Sequence, residues 1–86
     1  MPEICRFFGI IIAMFYEDHQ PGHFHARYGE HQVTIKIADL SILDGFLPPR
    51  ALGLVMEWAL IHQDELIKNW DLSQVYQPLI KIGPLE

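Results

Sequence analysis

Four of the five histidines stand within thirteen residues, at His19, His23, His25 and His31. Local geometry decides which of them can act together. His23–Tyr28 and His31–Ile37 alternate polar and apolar residues as half-buried strands do, and Gly29-Glu30 between them fits a two-residue hairpin turn. That turn sets Tyr28 opposite His31, Arg27 opposite Gln32, His25 opposite Thr34 and His23 opposite Lys36. Because side chains alternate across a strand, one face presents His23, His25, Arg27, Gln32, Thr34 and Lys36. The other presents Phe24, Ala26, Tyr28, Val33, Ile35 and Ile37, the set expected to meet the core. His31 falls on the apolar side at the hairpin's end, apart from the other histidines.

Two imidazoles beside a lysine and an arginine suit phosphate recognition or metal-free phosphodiester cleavage. His23 and His25 would be base and acid, while Arg27 and Lys36 neutralise the developing charge. His-x-His on a strand also binds transition metals, with Asp18 or His19 completing a site with His23 and His25. Arg27 and Lys36 weigh against that reading, since fixed cations disfavour a divalent ion. A strong zinc signature would also add cysteines or a third well-placed ligand. The plain alternative is a solvated hairpin face, on which His, Arg, Gln, Thr and Lys are ordinary occupants. The sequence holds no Gly-rich phosphate loop, Cys-x-x-Cys pair or Ser nucleophile elbow. No cofactor is therefore expected, a divalent metal being the one alternative.

The elements that must carry these residues are legible in outline. Phe7–Tyr16 is an uncharged run rich in aromatic and β-branched residues, read as one central strand. Glu17–Gly22 is a polar connection in which Pro21-Gly22 fits the centre of a type II turn. Asp39–Leu47 contains a second turn signal at Asp44-Gly45. Pro48-Pro49 announces a helix, since proline is tolerated in the first turn, and Ala51–Trp70 repeats apolar residues at spacings of three and four. Gly53 weakens that helix by about 1 kcal/mol without ending it. The pattern fits either continuation of the helix across Asp64–Val75 or a second helix after a kink. Pro78 and Pro84 keep the tail extended. The expectation is an α+β domain over 1–86: an antiparallel meander of three to four strands within 3–47, one long, straight or kinked, helical region at 48–76, and an extended tail at 77–86.

Composition narrows the class. Eighty-six residues support one core, and a chain that is 50% hydrophobic and 20% charged is a folded one. So short a chain cannot bury all of that apolar surface, so a homodimer or a small protein partner is expected. The net charge of −5 argues against binding nucleic acid through a globally basic surface, leaving RNA only to a local patch. Cys5 is the single cysteine, so no internal disulfide forms and a reducing, cytoplasmic setting is expected. Its simplest role is that of a small apolar residue. The run Phe7–Tyr16 is too short to span a bilayer and lacks the flanks of a signal peptide, so no membrane association is expected. Trp58 and Trp70 suit core or interface anchors, and Glu57 and His62, five apart, do not share a helix face.

Three segments carry a family resemblance: MPEICRFFGIIIAMFYEDHQPGHFHARYGE, LPPRALGLVMEWALIHQDELIKNW and IKIGPLE. Together they resemble the bacterial domain-of-unknown-function family 4160 over nearly the whole chain. The resemblance implies a small cytoplasmic protein forming half of a two-gene, toxin–antitoxin-like pair, and it brings no established catalytic mechanism. It maps the family's recurrent polar and aromatic residues onto Asp18, His19, His23, His25, Tyr28, Gly29, Arg50, Glu57, Trp58 and Trp70. It also implies a basic residue in the first strand where this chain has Ala13. A site that depends on that side chain is absent here. The function expected first is thus partner binding within such a pair, and the alternatives are the His23/His25/Arg27/Lys36 ribonuclease and the metal site.

Overall fold

The computed structural model describes residues 2–86, and residue 1 lies outside them. Five strands form one antiparallel sheet in the order β1-β2-β3-β4-β5: β1 (Glu3–Phe7), β2 (Ile10–Ala13), β3 (His23–Tyr28), β4 (His31–Lys36) and β5 (Ile42–Phe46). Two helices follow, α1 (Pro49–Ile61) and α2 (Gln63–Gln74). The chain is α+β and a meander, with five strands and two helices in place of three to four strands and one long helical region.

The extra strand comes from the apolar run. Phe7–Tyr16 is not one central strand, because Phe8 and Gly9 both have positive φ, 48° and 80°. That pair makes a two-residue turn pairing Phe7 with Ile10. Phenylalanine is a poor advertisement for such a turn, which is why the run looks continuous. Asp44-Gly45 is no turn either but lies inside β5. Gly45 has φ +85°, and a Cβ there would sit 2.1 Å from the Gln32 carbonyl oxygen, so glycine permits the close approach of β5 to β4. The reversal occurs earlier, where Asp39 Oδ1 accepts from the Ser41 N–H and hydroxyl and Leu40 takes φ 58°.

The Gln20–Pro21 peptide is cis, and Gly22 is not among the glycines with positive φ, so Pro21-Gly22 does not form the expected type II turn. The helical region breaks at His62, whose backbone (φ −112°, ψ 22°) leaves the helix while its N–H still donates to Trp58 O. Gln63 Nε2 then donates to Ile37 O at 2.7 Å, tying the start of α2 to the end of β4. No proline or glycine marks the break.

One sheet face supplies Phe24, Ala26, Val33 and Ile35 to a core shared with Val55, Trp58 and Leu66 of the helices. The tail lies in neither helix nor strand, and it packs: Ile82 N–H donates to Ile4 O and Trp58 Nε1–H to Gly83 O. Cys5 is buried there, which pushes its thiol pKa up. Among the described residues, no helix is long and apolar enough to cross a membrane.

Candidate metal centre

Strand alternation sends Phe24 and Ala26 into the core and His23 and His25 to the opposite face. The β3–β4 pairing is the expected one, His23 with Lys36, His25 with Thr34 and Arg27 with Gln32. What the pairing alone does not disclose is that the β2–β3 connection folds back over this face. It brings Asp18 onto both imidazoles.

Asp18 Oδ2 lies 2.8 Å from His23 Nε2 and 3.7 Å from His25 Nε2. Its other oxygen, Oδ1, accepts from the His19 N–H at 3.0 Å and lies 3.0 Å from His19 Nδ1. The His19 ring itself is exposed, at the rim. Burial works against the Asp18 charge, but the His19 N–H and the His23 ring outweigh it and hold the carboxyl below the ordinary aspartate range. For His25, burial and then the neighbouring His23 lower the pKa, with Asp18 opposing. His25 is therefore kept neutral.

The second contacts of the two rings fix which nitrogens are available. His23 Nδ1 is 2.8 Å from the Pro21 carbonyl oxygen, which can only accept, so Nδ1 carries the proton. Nε2 then faces the Asp18 carboxylate, and without a second ring proton it would do so with a bare lone pair. Two lone pairs cannot face each other at 2.8 Å unless a proton or a cation lies between them. His25 Nδ1 is 3.2 Å from Thr34 Oγ1, and with Nδ1–H donating to that hydroxyl its Nε2 is bare as well. That Nε2 is buried and has no hydrogen-bond partner among the described residues, since 3.7 Å to Asp18 is too long for one. Ligating histidines commonly donate their other N–H to a carbonyl or similar acceptor in this way.

Donor atoms from Asp18, His23 and His25 lie within 4.8 Å of one another. An ion about 2.0–2.2 Å from each donor spaces neighbouring donors by roughly 2.8–3.6 Å between right-angled and tetrahedral geometry, and the observed 2.8 and 3.7 Å lie at the two ends of that range. The two-histidine, one-carboxylate set fits a divalent transition metal.

The sequence places Arg27 and Lys36 on the same face, and the structure sets both outside the cleft that the donors floor. That cleft, about 590 Å³, is lined by Phe15, Tyr16, Glu17, His19, Leu43 and Asp44 beside the donors and Thr34. Arg27 flanks a separate, much smaller depression with Ile11, Ala13, Gln32 and His25. Lys36 lies with Ile67 and Trp70 beyond Pro21. His31 sits apart, 5.6 Å ring to ring from Phe46. Tyr28 and Arg50 line a separate pocket of about 280 Å³ beside α1.

The supports from α2 were not visible in the sequence. Trp70 packs on His23 at 5.2 Å and on Gly22, where an added Cβ would come 3.3 Å from the indole. Ser73 O accepts from the Glu17 N–H, and Gln74 Nε2 donates to Asp18 O. Trp70 stood out as an anchor by type, but nothing in its spacing points to an imidazole more than forty residues earlier.

Residues 9–71 match the model of a protein family described as Domain of unknown function (DUF4160). The chain belongs to the DUF4160 family. No curated protein and no solved structure matches it. The DUF4160 match includes Asp18, His23 and His25 with Thr34 and Trp70, and stops short of Ser73, Gln74 and the packed tail. Ala13, where the resemblance implies a basic residue, pairs directly with His25 across β2 and β3. A basic side chain there would stand beside the donor set.

Proposed function

We propose that this DUF4160 protein is a metal-binding domain that holds one divalent transition ion through Asp18, His23 and His25. A single observation carries the reading: His23 Nε2 faces Asp18 Oδ2 at 2.8 Å while its Nδ1 is turned to the Pro21 carbonyl, with the buried, unpartnered His25 Nε2 beside them. The charged group facing both imidazoles is a carboxylate, which favours a cation over the phosphate that Arg27 and Lys36 would invite. Elemental analysis of protein purified without chelators should find close to one transition ion per chain, falling to background in His25→Asn. If the wild type carries no metal and takes none up on dialysis, the reading fails. RNA cleavage by chelator-treated protein, lost in His25→Asn, would instead support the ribonuclease built on His23, His25, Arg27 and Lys36.

A second reading, the partner-binding half of a toxin–antitoxin-like pair, is favoured by apolar surface. Leu60 and Ile61 at the end of α1 are 67% and 64% exposed, and every residue of β5 is exposed, including Ile42, Leu43 and Phe46. Covering them would account for the high apolar content of the chain. Pulling the tagged protein from its host should recover a small partner in stoichiometric amount. Sedimentation as a lone monomer with no such protein would count against both a partner and a homodimer.

A further inference from the structure

We infer that the ion held by Asp18, His23 and His25 keeps coordination positions open to the cleft and binds there a small neutral or cationic nitrogen- or oxygen-donor ligand, anions being turned away. The inference rests on the metal reading above and deepens it. Three protein donors do not complete the shell of a divalent transition ion, and structural sites are usually closed by four. Among the described residues no fourth His, Cys, Asp or Glu joins the three, His19 Nδ1 meeting only Asp18 Oδ1 at 3.0 Å with its ring exposed at the rim. The one cysteine, Cys5, is buried against the tail with its thiol directed at Gly83 O.

The ion would add nothing to the hydrophobic core. That core lies on the opposite face of the sheet, closed by α1, α2 and the tail. A centre that stands apart from that core and floors an open cleft of about 590 Å³ is built to receive something. The walls say what. Phe15, which packs edge-on to His25 at 4.7 Å, Tyr16 and Leu43 give an apolar, partly aromatic side suited to a flat molecule. Glu17 and Asp44 add two carboxylates, and among the described residues neither lysine nor arginine lines the cleft. With Asp18, three carboxylates offset the two charges of the ion, so an approaching anion meets net repulsion.

Cobalt-loaded protein tests this directly, because the visible bands of Co²⁺ report its coordination. Imidazole, a flat neutral donor, should shift those bands with saturation at one equivalent per metal. Azide, an anionic donor, should bind weakly, and the double variant Glu17→Gln, Asp44→Asn should strengthen azide about tenfold while changing imidazole less than twofold. Bound cobalt whose spectrum ignores imidazole would show a closed shell and overturn the inference while leaving the metal reading intact. Equal azide affinity in wild type and double variant would overturn the charge selection. Failure to bind cobalt at all would bring down the metal reading and this inference together.

Discussion

His23 has its proton placed by a backbone carbonyl, and His25 has its ring braced by Thr34. Those contacts make separable expectations. Thr34→Val keeps the shape of the side chain but removes the hydroxyl. It should lower metal affinity about 10- to 100-fold in calorimetric titration, as loss of an outer-shell partner does, with little change in the melting temperature of metal-free protein. Acid has a defined sign at this site. The His25 pKa is lowered in the fold, so the unfolded chain takes up its proton first as pH falls. The His25 contribution to stability is complete above its unfolded value of about 6.5 and is lost as pH drops from there through the folded value. Melting temperature of metal-free protein plotted against pH should therefore decline below about 6.5, and His25→Asn should flatten that decline. An unchanged slope would mean that the ring is not held neutral.

Turns and strand edges decide whether these residues meet. Phe8 occupies a left-handed turn position that costs a non-glycine residue about 1–2 kcal/mol, and its ring is largely exposed. Phe8→Asn, which supplies the favoured Asn-Gly pair, should stabilise the protein by about 1 kcal/mol in denaturant melts. Gly45→Ala should do the reverse, since both φ +85° and the approach to Gln32 O exclude a Cβ; about 1–3 kcal/mol is expected from backbone strain alone. These two positions also explain what the sequence discloses and what it hides. The β3–β4 pairing was legible because Gly29 is a conventional turn residue between two alternating strands. The Phe8-Gly9 turn was hidden by an aromatic residue in a left-handed position, and Asp44-Gly45 misled because glycine serves a close approach there. The break at His62 has no proline or glycine, and long-range contacts such as Gln63 with the end of β4 set it. The donor set was half legible. His23 and His25 follow from alternation and the loop offers Asp18 or His19 to complete the set, but which of the two meets both imidazoles depends on a loop held by Ser73 and Gln74, and local pattern does not choose between them.

At the level of the whole molecule, the sheet separates two jobs. One face buries the core and the other holds the polar centre. The tail secures the first job by covering the β1 edge and accepting from Trp58. Ending the chain at Pro78 removes the buried Ile82 and the partly buried Leu79 and Leu85, and should cost about 3 kcal/mol or more in denaturant melts. Because Asp18, His23 and His25 sit on the other face, their replacement should leave the core intact. Titration of metal-free protein with Zn²⁺ by calorimetry, alongside Asp18→Asn, His23→Gln and His25→Asn, is the most direct measurement. One site per chain in the wild type, weakened at least 100-fold by each substitution in proteins that still melt cooperatively, is the expected result. Zinc binding that is absent, or that survives all three substitutions, would contradict a metal centre at these residues.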